Sequence, residues 1–238
     1  GCYASVAITA VTAQNTLGVR SICKVTPGVV ADQIAAVMDD LHPQAIKVGM
    51  VNDAETIRAI ATTLCRYPLP PMIIDPVMVS TSGSRLMEPD ALSLFQATLL
   101  PLSTLLTPNI PEAELLVGRP IHGLEDMKAA ARQILQMGPK AVLVKGGHGQ
   151  GREKTDLLLI DGSFHTFSSA TISTRNTHGT GCTLSSAIAS FVARGQGICE
   201  AKAYLYEALR AGADVSVGEG HGPVNHFYDP QPLILTEQ

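Results

Sequence analysis

Short runs of Val, Ile, Leu and Ala alternate along the chain with stretches whose apolar residues recur every three to four positions. The runs Val6–Ala13, Ala45–Val48, Met72–Asp75, Ser103–Leu106 and Ala141–Val144 predict strands. Helices are expected over Gly28–Leu41, Ala54–Tyr67, Asp90–Thr98, Pro111–Val117, Leu124–Met137, Thr183–Ala193 and Glu200–Val217. The second shows the period plainly, with Ile57, Ile60, Ala61 and Leu64 on one face. Strands that are apolar throughout leave no side for water, so the pattern implies an α/β fold with a parallel sheet covered on both faces. In such sheets the strand C-termini share one edge, and ligands bind there. One segment departs from the alternation. Asp156–Ile160 and Phe164–Phe167 flank Asp161-Gly162-Ser163, the chemistry of a β-hairpin turn.

No repeat, low-complexity tract or linker interrupts the series, and a single domain over residues 1–238 is expected. The chain opens on Gly1-Cys2-Tyr3 and runs directly into an apolar strand, without the strand and helix that usually precede one. The expectation is a sequence truncated at its amino terminus. Apolar residues make up 45% and charged residues 16%, which excludes a disordered chain. A net charge of −4 without a Lys/Arg cluster argues against nucleic acid as a partner. No apolar run approaches the length of a membrane span and no signal-type leader is visible, so a soluble, cytoplasmic protein is expected. Five cysteines without a C-x-x-C pair point away from disulfides and zinc. Cys2, Cys23, Cys65 and Cys199 are read as buried bystander thiols, and Cys182 stands apart.

The strongest local signal is Asn176-Thr177-His178-Gly179-Thr180-Gly181-Cys182-Thr183, which opens directly into an apolar-periodic helix. Two glycines before a helix let several N–H groups aim at one point, and the helix dipole completes an anion site. Such a site suits the charge that develops on a phosphoryl group in transfer. The first turn of a helix also favours a thiolate, and Cys182 there is a candidate base for an alcohol. The plain alternative is a Gly-rich helix start with a packed Cys. Thr107-Pro108-Asn109-Ile110-Pro111-Glu112 follows a strand and opens a helix. Asn109 and Glu112 are placed either to hold a hydrated Mg²⁺ or to cap the helix. Lys145-Gly146-Gly147-His148 ends another strand at the same predicted edge, as a phosphate contact or a solvated turn. Asp75, before Pro76, closes a third, either near a metal through water or as a turn cap.

With these clusters side by side, the chain resembles the hydroxymethylpyrimidine/phosphomethylpyrimidine kinases of thiamine biosynthesis, within the ribokinase-like superfamily. The resemblance runs nearly end to end, through Thr9-Ala10-Val11-Thr12-Ala13-Gln14-Asn15-Thr16, Lys47-Val48-Gly49-Met50, Asp75-Pro76-Val77-Met78, the three clusters above, and Gly220-His221-Gly222-Pro223-Val224-Asn225-His226-Phe227. It implies a three-layer sandwich with a mostly parallel central sheet and helices on both faces. It implies that Gln14 pairs with the aminopyrimidine edge while Met50 and Val77 line the ring pocket. Asn109 and Glu112 would organise Mg²⁺ with Asp75 nearby, and Lys145, Gly146 and Gly147 would border ATP. Gly179, Thr180, Gly181 and Cys182 would form the anion hole, with Cys182 where many superfamily members place an Asp base. Phosphorylation of the alcohol and then of its monophosphate, and a possible homodimer, follow from the same resemblance.

Two departures stand out. The family's amino-terminal Gly-x-Asp-x-Ser-Gly-Gly segment is not in this sequence, and Glu219 occupies a position that is often basic in relatives. The nearest rival reading is a pyridoxal or pyridoxine kinase, whose acceptor is also a flat ring bearing a hydroxymethyl group. A non-catalytic ligand-binding relative is a second. A thiol hydrolase using Cys182 with His178 is a third, for which no residue is clearly placed to orient the imidazole.

Overall fold

The computed structural model describes residues 1–51, 53–78, 87–147 and 153–234. Its frame is a six-stranded sheet in the order β3-β4-β5-β6-β7-β8. The first four, β3 (Ile46–Val48), β4 (Met72–Ile74), β5 (Leu105–Leu106) and β6 (Ala141–Val144), run parallel. The last two, β7 (Glu153–Ile160) and β8 (Ser163–Ala170), form an antiparallel hairpin that continues the sheet. Its turn is the expected Asp161-Gly162, with φ of 48° and 74°. Paired positive φ values suit the twist of a two-residue hairpin connection.

Alternation along each strand divides the core into two layers. Val48, Met72, Ile74, Leu106, Val142, Val144, Leu157 and Leu159 face one side, among the buried side chains of five helices. These are α1 (Pro27–Asp40), α2 (Ala54–Leu64), α3 (Pro89–Thr98), α4 (Ile110–Val117) and α5 (Leu124–Leu135). Ile73, Leu105, Ala141, Leu143 and Leu158 face the other side, with Leu184 and Ile188 of α6 (Thr180–Ala193) and Ala201 of α7 (Ile198–Gly212). A mostly parallel sheet with helices on both faces is therefore the architecture, as the apolar strands required. Local signals start and stop the helices. Asp53 accepts the Thr56 N–H at 2.9 Å to cap α2, and Gly118, at φ 71°, ends α4 in the left-handed region.

The amino-terminal region departs from expectation. Val6–Ala13 does not enter the main sheet. The strand there is β1 (Ala10–Asn15), paired antiparallel with β2 (Gly18–Lys24) as a separate two-stranded ribbon. A continuous apolar run predicts burial, yet Val6 is 68% and Val11 60% exposed. Period alone does not say which sheet a strand joins. The cysteine reading is also overturned. All five are free and exposed, because Cys23 lies on this ribbon, Cys65 follows the end of α2 and Cys199 opens α7. Among the described residues no helix is long and apolar enough to cross a membrane.

Candidate active site

The residues that follow the four parallel strands are Gly49, Asp75, Thr107 and Lys145, and the sheet brings them to one edge. Asp75 is the hub. It is 2% exposed, and its Oδ1 accepts the Lys145 ammonium at 2.7 Å and the Thr107 hydroxyl at 3.4 Å. Its Oδ2 lies 3.3 Å from the Ser185 hydroxyl, on the second turn of α6. One carboxylate thus ties the ends of β4, β5 and β6 to the helix that carries the glycine loop. A buried carboxylate needs such partners, since an unpaired charge there would be strongly disfavoured.

The loop is seated directly on this ion pair. A Cβ at Gly181 would lie 3.4 Å from the Lys145 Nζ and 3.6 Å from Asp75 Oδ2. A side chain at that position would cover the ammonium. Gly179 is the N-cap of α6, with φ 79°, and accepts the Thr183 N–H at 2.8 Å. Gly181 and Cys182 fall in the first turn, whose N–H groups have no partner inside the helix. The arrangement sets a helix N-terminus beside an ammonium, and Cys182, the next residue of the helix, is exposed.

The loop is anchored from behind. Asn176 is buried, and its amide donates to the carbonyls of Gly212 and Val215, each at 2.6 Å. The His178 N–H donates to Gly222 O at 3.0 Å, and the Thr183 hydroxyl lies 3.0 Å from His226 Nε2. Gly222 has no room for a side chain, because a Cβ would meet Asn176 Oδ1 at 2.2 Å.

Asn109 and Glu112 form a reciprocal capping box at α4. The Asn109 Oδ1 accepts the Glu112 N–H at 2.9 Å and Glu112 Oε2 accepts the Asn109 N–H at 2.8 Å. The capping alternative is therefore realised, and Glu112 is nonetheless buried within reach of the Asp75 and Lys145 charges. Burial pushes its carboxyl up to about 7, and the negative charge of Asp75 adds to this. Lys145 and the N–H groups of Asn109 and Met78 pull the other way. Among the described residues no three His, Cys, Asp or Glu side chains gather as a metal cluster.

The substrate-side residues are less closely gathered. Gln14 is exposed on β1, with no side-chain hydrogen bond among the described residues. Met50 and Val77 are half-buried after β3 and β4, and the Met50 carbonyl accepts the Thr9 hydroxyl at 3.2 Å. Gly146 and Gly147 follow Lys145 at the edge, while His148 lies outside the described residues. Sequence reasoning missed Thr107 and Ser185 as partners of Asp75, Asn176 as an anchor, and the bond between Thr183 and His226. A serine on the apolar face of α6, between Leu184 and Ile188, was the available signal for Ser185. A groove of about 550 Å³ lined by Met38, His42, Tyr67 and Leu69 lies at the opposite, N-terminal end of the strands, away from this chemistry.

The model of the family described as phosphomethylpyrimidine kinase matches residues 1–225. The chain belongs to that family. The hydroxymethylpyrimidine/phosphomethylpyrimidine kinase of Rhizobium meliloti is 46% identical over 233 residues, covering 96% of this chain and 87% of its own. The bifunctional thiamine biosynthesis protein of Geobacter sulfurreducens is also 46% identical, and the chain spans only 47% of its length. Among solved structures, the phosphomethylpyrimidine kinase of Clostridium difficile superposes with a TM-score of 0.78 at 42% identity, over 88% of this chain and 87% of that one. The pyridoxal kinase of Staphylococcus aureus bound to pyridoxal gives 0.83 at 28% identity, over 94% and 82%. The family and the fold are as the sequence implied.

Proposed function

We propose that the chain is an ATP-dependent kinase that phosphorylates the hydroxymethyl group of 4-amino-5-hydroxymethyl-2-methylpyrimidine and then converts the monophosphate to the diphosphate. The observation that carries this reading is the seating of the glycine loop on the Asp75–Lys145 pair. The Gly181 and Cys182 amides and the Lys145 ammonium would hold the charge of the transferred phosphoryl group. Lys145, with Gly146 and Gly147, would border the nucleotide phosphates. Cys182 would take the hydroxyl proton as the substrate oxygen attacks the γ-phosphorus and the bond to ADP breaks. Gln14, Met50 and Val77 would receive the ring, with the Gln14 amide donating and accepting along the aminopyrimidine edge.

Family membership implies Mg²⁺. Asp75 is already held by Lys145, Thr107 and Ser185, and Asn109 and Glu112 cap each other, so these carboxylate and amide oxygens would meet a hydrated ion through its water and would not cage it. When bound, it would neutralise phosphate charge. A second copy of the chain is the partner we assign to the β1–β2 ribbon, where Val11, Val19 and Ile22 are exposed.

Pyridoxal kinases share the fold, so the fold alone does not choose between the acceptors. The higher identity to the pyrimidine kinases supports the pyrimidine. A coupled assay of ADP release with hydroxymethylpyrimidine and pyridoxine as separate acceptors tests the choice. Turnover with the pyrimidine, reduced by about 10²- to 10⁴-fold in Cys182→Ala without loss of melting temperature, is expected. Preferred turnover of pyridoxine, or a fully active Cys182→Ala, would overturn the reading.

A further inference from the structure

One buried charged group has no part in the reaction described so far. Asp156 sits on β7 at the head of an apolar run, Asp-Leu-Leu-Leu-Ile, and is 7% exposed. Its Oδ1 accepts the Gly146 N–H at 2.8 Å, and its Oδ2 accepts the Lys202 ammonium of α7 at 2.5 Å. The Lys202 ammonium also lies 5.8 Å from the centre of the Phe167 ring on β8. Gly146 itself has no freedom to carry a side chain, since a Cβ would meet the Thr155 carbonyl at 1.9 Å. The backbone that follows Lys145 is therefore pressed onto β7 and held there by one carboxylate.

For stability alone this is a poor choice. A buried ion pair recovers little more than the cost of desolvating it, and apolar residues of similar volume often serve as well or better. What the carboxylate does that an apolar side chain cannot is accept a backbone N–H and so fix the path of the loop. The helix supplying Lys202 also supplies the Gly212 carbonyl that holds Asn176, at its other end. One helix therefore braces both loops at the strand edge, the Gly146 loop through Asp156 and the anion loop through Asn176.

We propose that the Asp156–Lys202 pair is a positioning device for the nucleotide, setting the Gly146–Gly147 backbone at the distance that ATP phosphates require. Neither residue touches the reacting atoms. The inference rests on the reading of Lys145 to Gly147 as the nucleotide border. Removing the Lys202 charge loosens Asp156, and through it the loop, so the loss falls on nucleotide binding and not on the pyrimidine side.

The test compares wild type, Lys202→Met and Lys202→Arg by the KM for ATP, the KM for hydroxymethylpyrimidine, and calorimetric binding of the ATP analogue AMP-PCP. In Lys202→Met the KM for ATP and the Kd for AMP-PCP are expected to rise about tenfold, with the KM for the pyrimidine within about twofold. Lys202→Arg, which restores the charge, is expected to recover most of the loss. Should Lys202→Met fail to fold, Lys202→Gln, which keeps a donor for Asp156, is read by the same three numbers. Unchanged AMP-PCP binding in the folded variant, or an equal rise in both KM values, overturns the positioning role. A wild-type protein that binds no AMP-PCP overturns the nucleotide reading itself, and the inference with it.

Discussion

The glycine loop and the β1–β2 ribbon both carry residues assigned to the substrates, and they are built on opposite plans. Behind the loop, Asp75 is bonded to Lys145, Thr107 and Ser185, Asn176 to the Gly212 carbonyl and Thr183 to His226, and most of these residues are buried. Every residue of β2 is exposed, and most of β1 with it. The turn of the ribbon is tied down at Thr16, whose hydroxyl accepts the Gly220 N–H at 3.2 Å. A Cβ at Gly220 would meet the Thr16 carbonyl at 1.9 Å, so glycine permits this approach. The contrast suits the two tasks. Phosphoryl charge is best met by groups already in place, because reorganising dipoles during the reaction costs rate. An acceptor is recognised by side chains that solvent leaves free to pair with it, and the exposed ribbon offers those.

The sharpest way to break the comparison is at its rigid end. Lys145→Met leaves the Asp75 carboxylate buried with only the Thr107 and Ser185 hydroxyls as partners. Removing one member of a buried pair typically costs about 3–5 kcal/mol, which urea denaturation should show alongside loss of activity. A variant as stable as wild type would mean that water, not Lys145, compensates Asp75, and the loop would no longer count as pre-built.

How much of this was legible differs between the two regions for physical reasons. The strands β4 and β6 were readable because both of their faces are buried, and the β7–β8 turn because Asp-Gly tolerates positive φ. The bond between Asp75 and Lys145 was not. Its partners are 70 residues apart, and only the parallel register puts them side by side. The site edge could be located from the ends of strands, but not the hub that organises it. On the ribbon the failure was of another kind. The sequence Gly-Val-Arg-Ser-Ile-Cys-Lys of β2 mixes apolar and polar residues without the buried face that makes a strand visible, and it was not foreseen.

A smaller effect probes the boundary between capping and catalysis at Glu112. Its carboxyl holds a proton up to about 7 in the folded protein, whereas a free one releases it near 4.5. The folded state therefore binds the extra proton between these values, and stability falls as pH rises through that window. The total is on the order of 3 kcal/mol by linkage. Glu112→Gln should lack this slope when urea midpoints are measured across the window in the presence of EDTA. Repeating the wild-type series with Mg²⁺ sharpens the result, since a cation held beside the carboxylate keeps it ionised and flattens the slope. A wild-type slope unmoved by Mg²⁺ would remove Glu112 from the metal side and leave it a capping residue.

The smallest effect on stability is expected at the exposed end. Gln14 is exposed and its side chain bonds nothing among the described residues, so Gln14→Ala should change stability by less than about 0.5 kcal/mol. Its effect belongs to the acceptor. A lost side-chain amide that both donates to and accepts from the ring should raise the KM for hydroxymethylpyrimidine by about tenfold while leaving the KM for ATP unmoved. That pattern is the mirror image of the one expected for Lys202→Met, and together the two variants would divide the site into halves that bind independently. If Gln14→Ala instead raised both KM values, the ribbon would be coupled to the glycine loop. The path is short, since Gly220 bonds Thr16 and Gly222 bonds His178, and the acceptor would then help to set the loop that the structure presents as already fixed.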